Sequence, residues 1–365
     1  MLVLIVIDRV WPEQFRHAAA QSFRATLGPP APAPMLIEDE QELFADPRAA
    51  LPDAIVPDAP LSTPPPPERP VDLEGVSFVL LMGADNRNAK VTGRTDTMIV
   101  AAFRHRDGKV AAFSIPRDLW VALPDLGTLH AEGRTHARIS SVVRVGEVRL
   151  GEGQGMPLLR QTLRDQLGIR FDRFVTVDFA GFVGLVDAVG GIDVDVDCPI
   201  VDCFWTQGTD QPCELMSIEA GRVHMDGATA LLFVRSRHGR GDHDRTKRQQ
   251  SVMLAFARKV RARGLRGLPG LWRLAEPYLS SDLGVDDAAY YASFALDNEL
   301  DEIRGFAIRH PMTSKHVTED GKHVLMLDRA GFDRALADLF EAELPALRER
   351  GQCPAADVAL RVGGE

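Results

Sequence analysis

Cysteine and long apolar runs are both scarce in this chain of 365 residues. Its four Cys are too few for a dense disulfide scaffold. The apolar run Met1–Ile7 is far shorter than the ~20 residues that span a bilayer, so we expect no transmembrane helix in this chain. The run also lacks the basic flank and cleavage site of a signal peptide. A buried strand, an interfacial segment and the remnant of a longer signal remain open for it.

An excess of positive charge is absent too. The chain has 42 Lys and Arg against 52 Asp and Glu, which argues against binding nucleic acid through bulk charge. There is no phosphate-binding loop, no Rossmann glycine fingerprint and no zinc-type pairing of His with Cys. The triplet Asp193, Asp195 and Asp197 starts like an EF-hand loop, but Cys198 and Phe204 replace the Gly and Glu that the loop requires.

Residues 1–72 differ in composition from the rest of the chain. They hold 14 of the 24 Pro, with 5 basic and 11 acidic residues. Because proline fixes φ and removes a backbone donor, we predict a poorly structured acidic leader or linker over residues 1–72. We predict a single folded domain at 73–350 and a C-terminal tail at 351–365.

The folded body alternates strand patterns with helix patterns, which is typical of an α/β fold. The predicted strands are 76–84, 97–103, 109–115, 171–177, 192–197, 303–310 and 323–327. The predicted helices are 157–167, 179–189, 226–235, 244–263, 286–296 and 329–350.

Four polar clusters lie at the ends of these elements, where α/β proteins place their sites. They are Met82–Arg87, Gly93–Thr97, Ser114–Asp118 and Phe233–Gln250. Arginine binds phosphate oxygens through its planar fork, and the carboxylates of Asp85 and Asp96 suit a hard cation such as Mg²⁺. Together the clusters indicate a diphosphate site with a divalent cation. For any one cluster alone, surface salt bridges are the alternative.

Residues 235–266 carry 11 basic and 2 acidic residues, so nucleic-acid binding is a rival interpretation. However, Phe256 is the one Phe, Tyr or Trp in the stretch, and part of the charge fits the solvated face of a helix. We expect no nucleic-acid partner.

Five ordered motifs between residues 76 and 310 resemble those of the LytR–CpsA–Psr family. They are LMGADNR at 81–87, RTDTM at 94–98, SIPRD at 114–118, the segment 179–196 and the segment 221–250. The resemblance implies an α/β/α sandwich, a central mixed β-sheet flanked by helices, with an apolar pocket for a lipid tail.

The resemblance also implies an activity and a location. It implies a phosphotransferase that moves a glycopolymer from a polyprenyl-pyrophosphate carrier to a peptidoglycan hydroxyl, with Mg²⁺ or Mn²⁺ as cofactor. Such an enzyme works in the cell envelope, at the extracytoplasmic face of the inner membrane, and meets the membrane surface through its lipid substrate. The alternative is a protein that binds, senses or hydrolyses polyprenyl pyrophosphate without transfer to an acceptor.

Matching positions give the residue roles that the resemblance implies. Asp85 and Asp96 are the expected metal ligands and, with Arg117, the expected catalytic residues. The expected pyrophosphate ligands are Arg87, Arg117, Arg235, Arg237, Arg245, Arg248 and Gln249. The expected lining of the lipid pocket is Leu159, Leu163, Phe179, Phe182, Leu185 and Val186, with ordinary core packing as the alternative for each.

Whether the cysteines form a disulfide depends on the compartment in which the protein works. In an oxidising envelope a disulfide is plausible, most simply between Cys203 and Cys213. Buried, reduced thiols are the alternative.

Overall fold

The structure is a computed structural model that describes residues 73–85, 94–125, 135–204, 214–236, 242–297 and 304–341, together with Leu129 and Gly133. Its strands are β1 Val76–Asp85, β2 Arg94–Arg104, β3 Val110–Ile115, β4 Trp120–Ala122, β5 His136–Arg138, β6 Arg173–Asp178, β7 Ile192–Val196, β8 Ile200–Phe204, β9 Glu214–Ile218, β10 Gly221–Met225, β11 Leu279–Ser281, β12 Arg304–Ala307, β13 Thr313–Val317 and β14 His323–Leu327. Its helices are α1 Val142–Arg149, α2 Gly155–Leu167, α3 Phe179–Ala188, α4 Gly227–Arg235, α5 Asp242–Ala275, α6 Val285–Asp297 and α7 Arg329–Ala337. Short 3₁₀ turns lie at Ile139–Ser141 and Glu276–Tyr278.

Six of the strands form a central mixed sheet in the order β11-β6-β1-β2-β3-β12. The β1–β2, β2–β3 and β6–β11 pairs are antiparallel, whereas β1–β6 and β3–β12 are parallel. The remaining strands pair two by two outside this sheet: β4 with β5, β7 with β10, β8 with β9 and β13 with β14.

Helices cover both faces of the central sheet, because successive side chains of a strand point to opposite faces. On one face, Phe78 and Leu80 of β1 pack in a core with α2 and α7. On the other face, Val79 and Leu81 pack in a cluster that contains Tyr290 and Phe294 of α6. The expected α/β/α sandwich with a central mixed sheet is therefore confirmed.

The predicted strands and helices with long apolar patterns are confirmed. Shorter elements that have no clear hydrophobic pattern were not predicted. The missed elements are β4, β5, β8, β9, β10, β11, β13 and α1. The helix predicted at 244–263 is longer in the structure than predicted: α5 spans Asp242–Ala275.

The helix predicted at 329–350 ends early, at Ala337. Leu339 and Phe340 turn back into the core, and the Arg104 guanidinium lies 4.4 Å from the Phe340 ring centroid. The Glu341 carboxylate follows at 3.4 Å from Arg104 Nη2. These tertiary contacts outweigh helix propensity, which is only a weak local preference. Residues 342–350 lie outside the described part.

The predicted leader at 1–72 and tail at 351–365 also lie outside the described residues, so the domain boundaries stay predictions. None of the helices in the described ranges combines the length and apolar character needed to cross a membrane.

Gly305 in β12 permits the close parallel pairing with β3, and we predict that Gly305→Ala strongly destabilises the fold. Its φ is +148°, and a Cβ atom there would lie 1.7 Å from the Ala112 carbonyl oxygen. We expect the free energy of unfolding to fall by at least about 3 kcal/mol in denaturant titrations.

Gly270→Ala in α5 is the matched control, since a Cβ atom there meets no atom within 4 Å. The control should leave the stability unchanged or raise it by up to about 1 kcal/mol. Equal stability of the two variants would contradict this account of β12.

Candidate functional site

Asp96 lies at a β-bulge near the end of the pairing of β1 with β2. Gly83 pairs with Thr97 and Ala84 pairs with Thr95, so Asp96 is the extra residue between them. A bulge takes a residue out of the regular ladder and redirects its side chain. Accordingly, the Asp96 side chain contributes to the walls of two cavities that meet at this strand end.

Arg117, two residues beyond the end of β3, forms an ion pair with Asp96. Its Nη1 donates a hydrogen bond of 3.1 Å to Asp96 Oδ1, and its Nε lies 3.5 Å from Asp118 Oδ2. The other oxygen of Asp118 lies 3.5 Å from Arg138 Nε. This alternation of charges holds the Arg117 guanidinium at the strand ends, while its side chain remains 27% exposed and can meet a ligand.

The first turns of α5 bring Arg245, Arg248 and Gln249 to the same place. Gln249 Nε2 donates a 2.8 Å hydrogen bond to Thr97 Oγ1, which ties the helix to the residue next to the bulge. Arg245 is only 8% exposed and lines both cavities. Arg248 donates to the carbonyl of Ser236, whose hydroxyl donates a 2.6 Å bond to Asp202 Oδ2. Arg248 therefore supports the segment after α4, and it is not among the residues that line either cavity.

Arg235, the last residue of α4, brings a further cation to the rim. Its guanidinium carbon lies 4.8 Å from the ring centroid of Phe179, a cation–π contact. A cation in the last turn of a helix also interacts favourably with the helix dipole.

An apolar cavity of about 610 Å³ starts at these polar groups and runs between the sheet and helices α3, α4 and α5. Four of the residues predicted for a lipid pocket line it: Phe179, Phe182, Leu185 and Val186. The sequence interpretation missed other lining residues, among them Leu81, Val175, Val177, Leu231, Val234, Val252, Met253 and Phe256. The spacing of Val252, Met253 and Phe256 on one helix face was the available signal.

Asp178 at the end of β6 starts the wall that α3 provides. Its carboxylate caps the helix by accepting a 2.7 Å hydrogen bond from the Gly181 amide. A Cβ atom at position 181 would lie 2.4 Å from the Tyr278 carbonyl oxygen, so glycine permits α3 to pack closely on the turn before β11.

The prediction that Leu159 and Leu163 line this pocket is wrong. Both are fully buried in the core on the opposite face of the central sheet, where α2 packs against Phe78 and Leu80. The cavity lies on the face to which Leu81 points. Helical spacing correctly indicated a buried face of α2, but it carries no information about which side of the sheet covers that face.

A second cavity, of about 750 Å³, lies on the other side of the same polar groups and is called the polar cavity below. It shares Asp96, Thr97, Arg117, Arg245 and Gln249 with the apolar cavity. Its remaining wall comes from the ends of β3 and β12 and from the β13–β14 hairpin. The part from β3 belongs to the SIPRD motif at 114–118, whereas no sequence motif pointed to the part that β12 and the hairpin provide.

Several predicted site groups lie outside the described part of the chain. These are the side chain of Asp85 and the residues Arg87 and Arg237, so their predicted roles stay predictions. The backbone of Asp85 pairs with that of Arg94, beside the bulge. Within the described ranges, no group of three or more His, Cys, Asp or Glu residues could hold a metal ion.

Cys198 is disulfide-bonded. The side chains of Cys203 and Cys213, for which we predicted a disulfide with each other, lie outside the described residues.

Among the known proteins that resemble this chain are two curated relatives whose names refer to the cell wall. The chain is 28% identical over 324 residues to the cell wall biosynthesis protein LcpA of Corynebacterium glutamicum, which covers 78% of this chain and 60% of that protein. It is 32% identical over 180 residues to the polyisoprenyl-teichoic acid–peptidoglycan teichoic acid transferase TagU of Oceanobacillus iheyensis, covering 48% of this chain and 49% of that protein. The chain thus spans between about half and three fifths of the length of these curated relatives.

The fold is similar to that of a solved structure, TagV of B. subtilis. The TM-score is 0.59 at 22% sequence identity, and the match covers 73% of this chain and 98% of that one. A family model, described as the LytR_cpsA_psr family, matches residues 68–339. This match includes all of the strands and helices described above, and with it the chain belongs to the LytR_cpsA_psr family.

Proposed function

We propose that this protein transfers a glycopolymer from a polyprenyl-pyrophosphate carrier to a hydroxyl of peptidoglycan, with a divalent cation as cofactor. One observation carries the proposal: an apolar cavity of about 610 Å³ opens onto a group of arginines and a carboxylate. A ligand with a long hydrocarbon tail and a diphosphate head has this same sequence of apolar and anionic parts.

The names of the relatives support the same activity. LcpA is named for cell wall biosynthesis, and TagU is named as a transferase of teichoic acid from a polyisoprenyl carrier to peptidoglycan. Both names fit transfer of a glycopolymer during assembly of the cell wall. The identity of the carrier and of the acceptor in this protein belongs to the proposal.

In this proposal the tail of the carrier lies in the apolar cavity and its diphosphate lies at the rim. Arg117, Arg235 and Arg245 then provide charge-assisted hydrogen bonds to the phosphate oxygens. Gln249 is a further polar contact, held in place by its bond to Thr97. Water leaves the apolar walls when the tail binds, which supplies the main driving force for affinity.

The reaction replaces the phosphoanhydride bond of the carrier by a phosphoester bond to the acceptor. The oxygen of the acceptor hydroxyl forms a bond to the phosphorus that carries the glycan, and the bond from that phosphorus to the bridging oxygen breaks. Polyprenyl phosphate leaves with the bonding electron pair, and the hydroxyl proton passes to a base, for which Asp96 or Asp85 is our candidate. A carboxylate that holds the cation is a poor base, so the two roles need not fall on one residue. Negative charge grows on the leaving and non-bridging oxygens, where the arginines stabilise it.

The donor chemistry fits a hard divalent cation that arrives with the diphosphate. Mg²⁺ commonly binds through one or two carboxylates and completes its coordination with phosphate oxygens and water, so it needs no cluster of three protein ligands. Asp96 supplies one carboxylate at the rim, and Asp85 is the proposed second. A bound cation would neutralise part of the phosphate charge; Mn²⁺ has similar ligand preferences.

The most direct mutational test is Arg117→Ala, which removes a cation that faces the diphosphate. We predict that transfer of a labelled glycan from its lipid carrier to peptidoglycan falls by about 100-fold, the usual effect of removing one charge-stabilising group. Arg222→Ala, at an exposed position of β10, is the matched control and should transfer at the wild-type rate. Wild-type transfer by Arg117→Ala would exclude this site.

The same assay separates transfer from the alternative activities. Release of phosphate or monophosphate from the carrier without any dependence on acceptor would favour a pyrophosphatase. Binding of the carrier with no turnover would favour a binding or sensing protein.

Removal of divalent cations is the test of the cofactor. We predict that chelation abolishes transfer and that added Mg²⁺ or Mn²⁺ restores it, because the diphosphate needs its charge neutralised to react. Undiminished transfer by chelated, metal-free protein would contradict the proposed role of the cation.

A bulky side chain in the apolar cavity tests where the tail binds. We predict that Leu231→Trp weakens binding of polyprenyl monophosphate by about tenfold or more, since the ring occupies space that the tail needs. Binding of inorganic pyrophosphate should change little. Val148→Trp on α1, at a position 48% exposed, is the control. Equal affinity of both variants for the lipid, measured by calorimetry in detergent, would contradict this location.

A further inference from the structure

We propose that the polar cavity is the acceptor subsite and that Lys315 and Arg309 bind carboxylates of the acceptor glycan. The inference rests on the proposed function and adds to it the position and chemical class of the second substrate. The class is a glycan that carries carboxylates, as peptidoglycan does on its stem peptides.

The apolar cavity and the polar cavity share one wall. Asp96, Arg117 and Arg245 have the apolar cavity on one side and the polar cavity on the other. A diphosphate bound by the two arginines, with its cation at Asp96, is therefore reachable from both sides.

The geometry of phosphoryl transfer decides the side from which the acceptor approaches. In phosphoryl transfer the attacking and leaving oxygens lie roughly in line on opposite sides of the phosphorus. The leaving polyprenyl phosphate lies toward the apolar cavity, where its tail is bound. The acceptor hydroxyl must then approach from the opposite side, and the polar cavity is the space that opens there.

The charge of the polar cavity indicates the kind of acceptor that binds there. Among the described residues that line it, the Arg and Lys residues are Arg117, Arg245, Arg309 and Lys315, and Asp96 is the one carboxylate. Arg309 and Lys315 are absent from the wall of the apolar cavity. Ser114, Thr313 and Ser314 add hydroxyl groups suited to sugar hydroxyls and amides. This combination fits a polar, anionic glycan better than a neutral one.

Hydrogen bonds hold the wall that carries Lys315 in place. The hairpin of β13 and β14 is fixed by a 2.9 Å bond from the Leu325 amide to the Asp118 carbonyl and a 3.0 Å bond from Arg138 Nη2 to the His323 carbonyl. The Asp328 amide closes its base with a 2.8 Å bond to the Met312 carbonyl. Asp118 and Arg138 are the residues that also position Arg117. The hairpin is thereby held in register with the reacting groups.

The test is a binding titration that needs no lipid donor. A soluble muropeptide, a disaccharide with its stem peptide, is titrated by NMR into the wild-type chain, Lys315→Ala and Lys322→Ala at low salt and up to millimolar concentration. We predict that Lys315→Ala weakens binding by about fivefold, as expected for the loss of one partly exposed charge contact. Lys322→Ala should bind like wild type. Lys322 is the matched control because it lies between the same two strands, pairs with Asp320 and does not line the cavity.

A neutral disaccharide without the peptide is the second probe, and its weaker binding should be insensitive to Lys315→Ala. Equal muropeptide affinity of wild type and Lys315→Ala would overturn the inference, as would no detectable muropeptide binding by wild type.

Transfer kinetics then separate this inference from the proposed function. Lys315→Ala should raise the KM for the acceptor and leave the KM for the donor and the acceptor-independent release of phosphate unchanged. A chain that binds muropeptide through Lys315 but transfers nothing would refute the proposed function alone. A chain that transfers normally with an unchanged acceptor KM in Lys315→Ala would refute the acceptor subsite alone.

Discussion

The pairing of β1 with β2, interrupted by one extra residue at Asp96, is the constraint on which the site depends. Before the bulge the two strands alternate regularly, so that one face of the sheet packs on the main core and the other faces the helices around the apolar cavity. At the bulge the alternation breaks, and the Asp96 carboxylate meets Arg117 from the end of β3. The Thr97 hydroxyl next to the bulge accepts a hydrogen bond from Gln249 of α5. One irregularity in the ladder therefore lies where residues of three parts of the fold come together.

This arrangement places an apolar cavity beside a rim of arginines. The apolar walls lower the cost of holding a hydrocarbon chain, while the buried Arg245 and the partly exposed Arg117 favour anions at the rim. In the proposed function, the lipid supplies binding energy remote from the phosphorus and the rim stabilises the charge that develops during transfer. The hairpin of β13 and β14 adds a cationic wall on the far side, which we assign to the acceptor.

Much of the fold could be predicted from the sequence, since the long apolar runs of β1, β2 and β3 and the periodic helices α2, α3 and α4 report burial directly. Asp96 and Arg117 come from two of the predicted polar clusters, and the structure brings them together as an ion pair, while their catalytic roles stay predictions. Leu159 and Leu163 were assigned to the wrong side, because periodicity reports that a helix face is buried but not what covers it. No sequence pattern indicated Lys315 and Arg309, since they line the same cavity as Asp96 only through the parallel pairing of β12 with β3 and the hairpin that follows it.

The central claim is that one ligand occupies the apolar cavity and the arginine rim together. A crystal structure of the full chain with a non-hydrolysable polyprenyl-pyrophosphate analogue and Mg²⁺ tests it most directly. We predict density for the tail between Phe182 and Val252, with phosphate oxygens within about 3.2 Å of the guanidinium groups of Arg117 and Arg245. Density for the diphosphate elsewhere on the protein, with the apolar cavity empty, would contradict it.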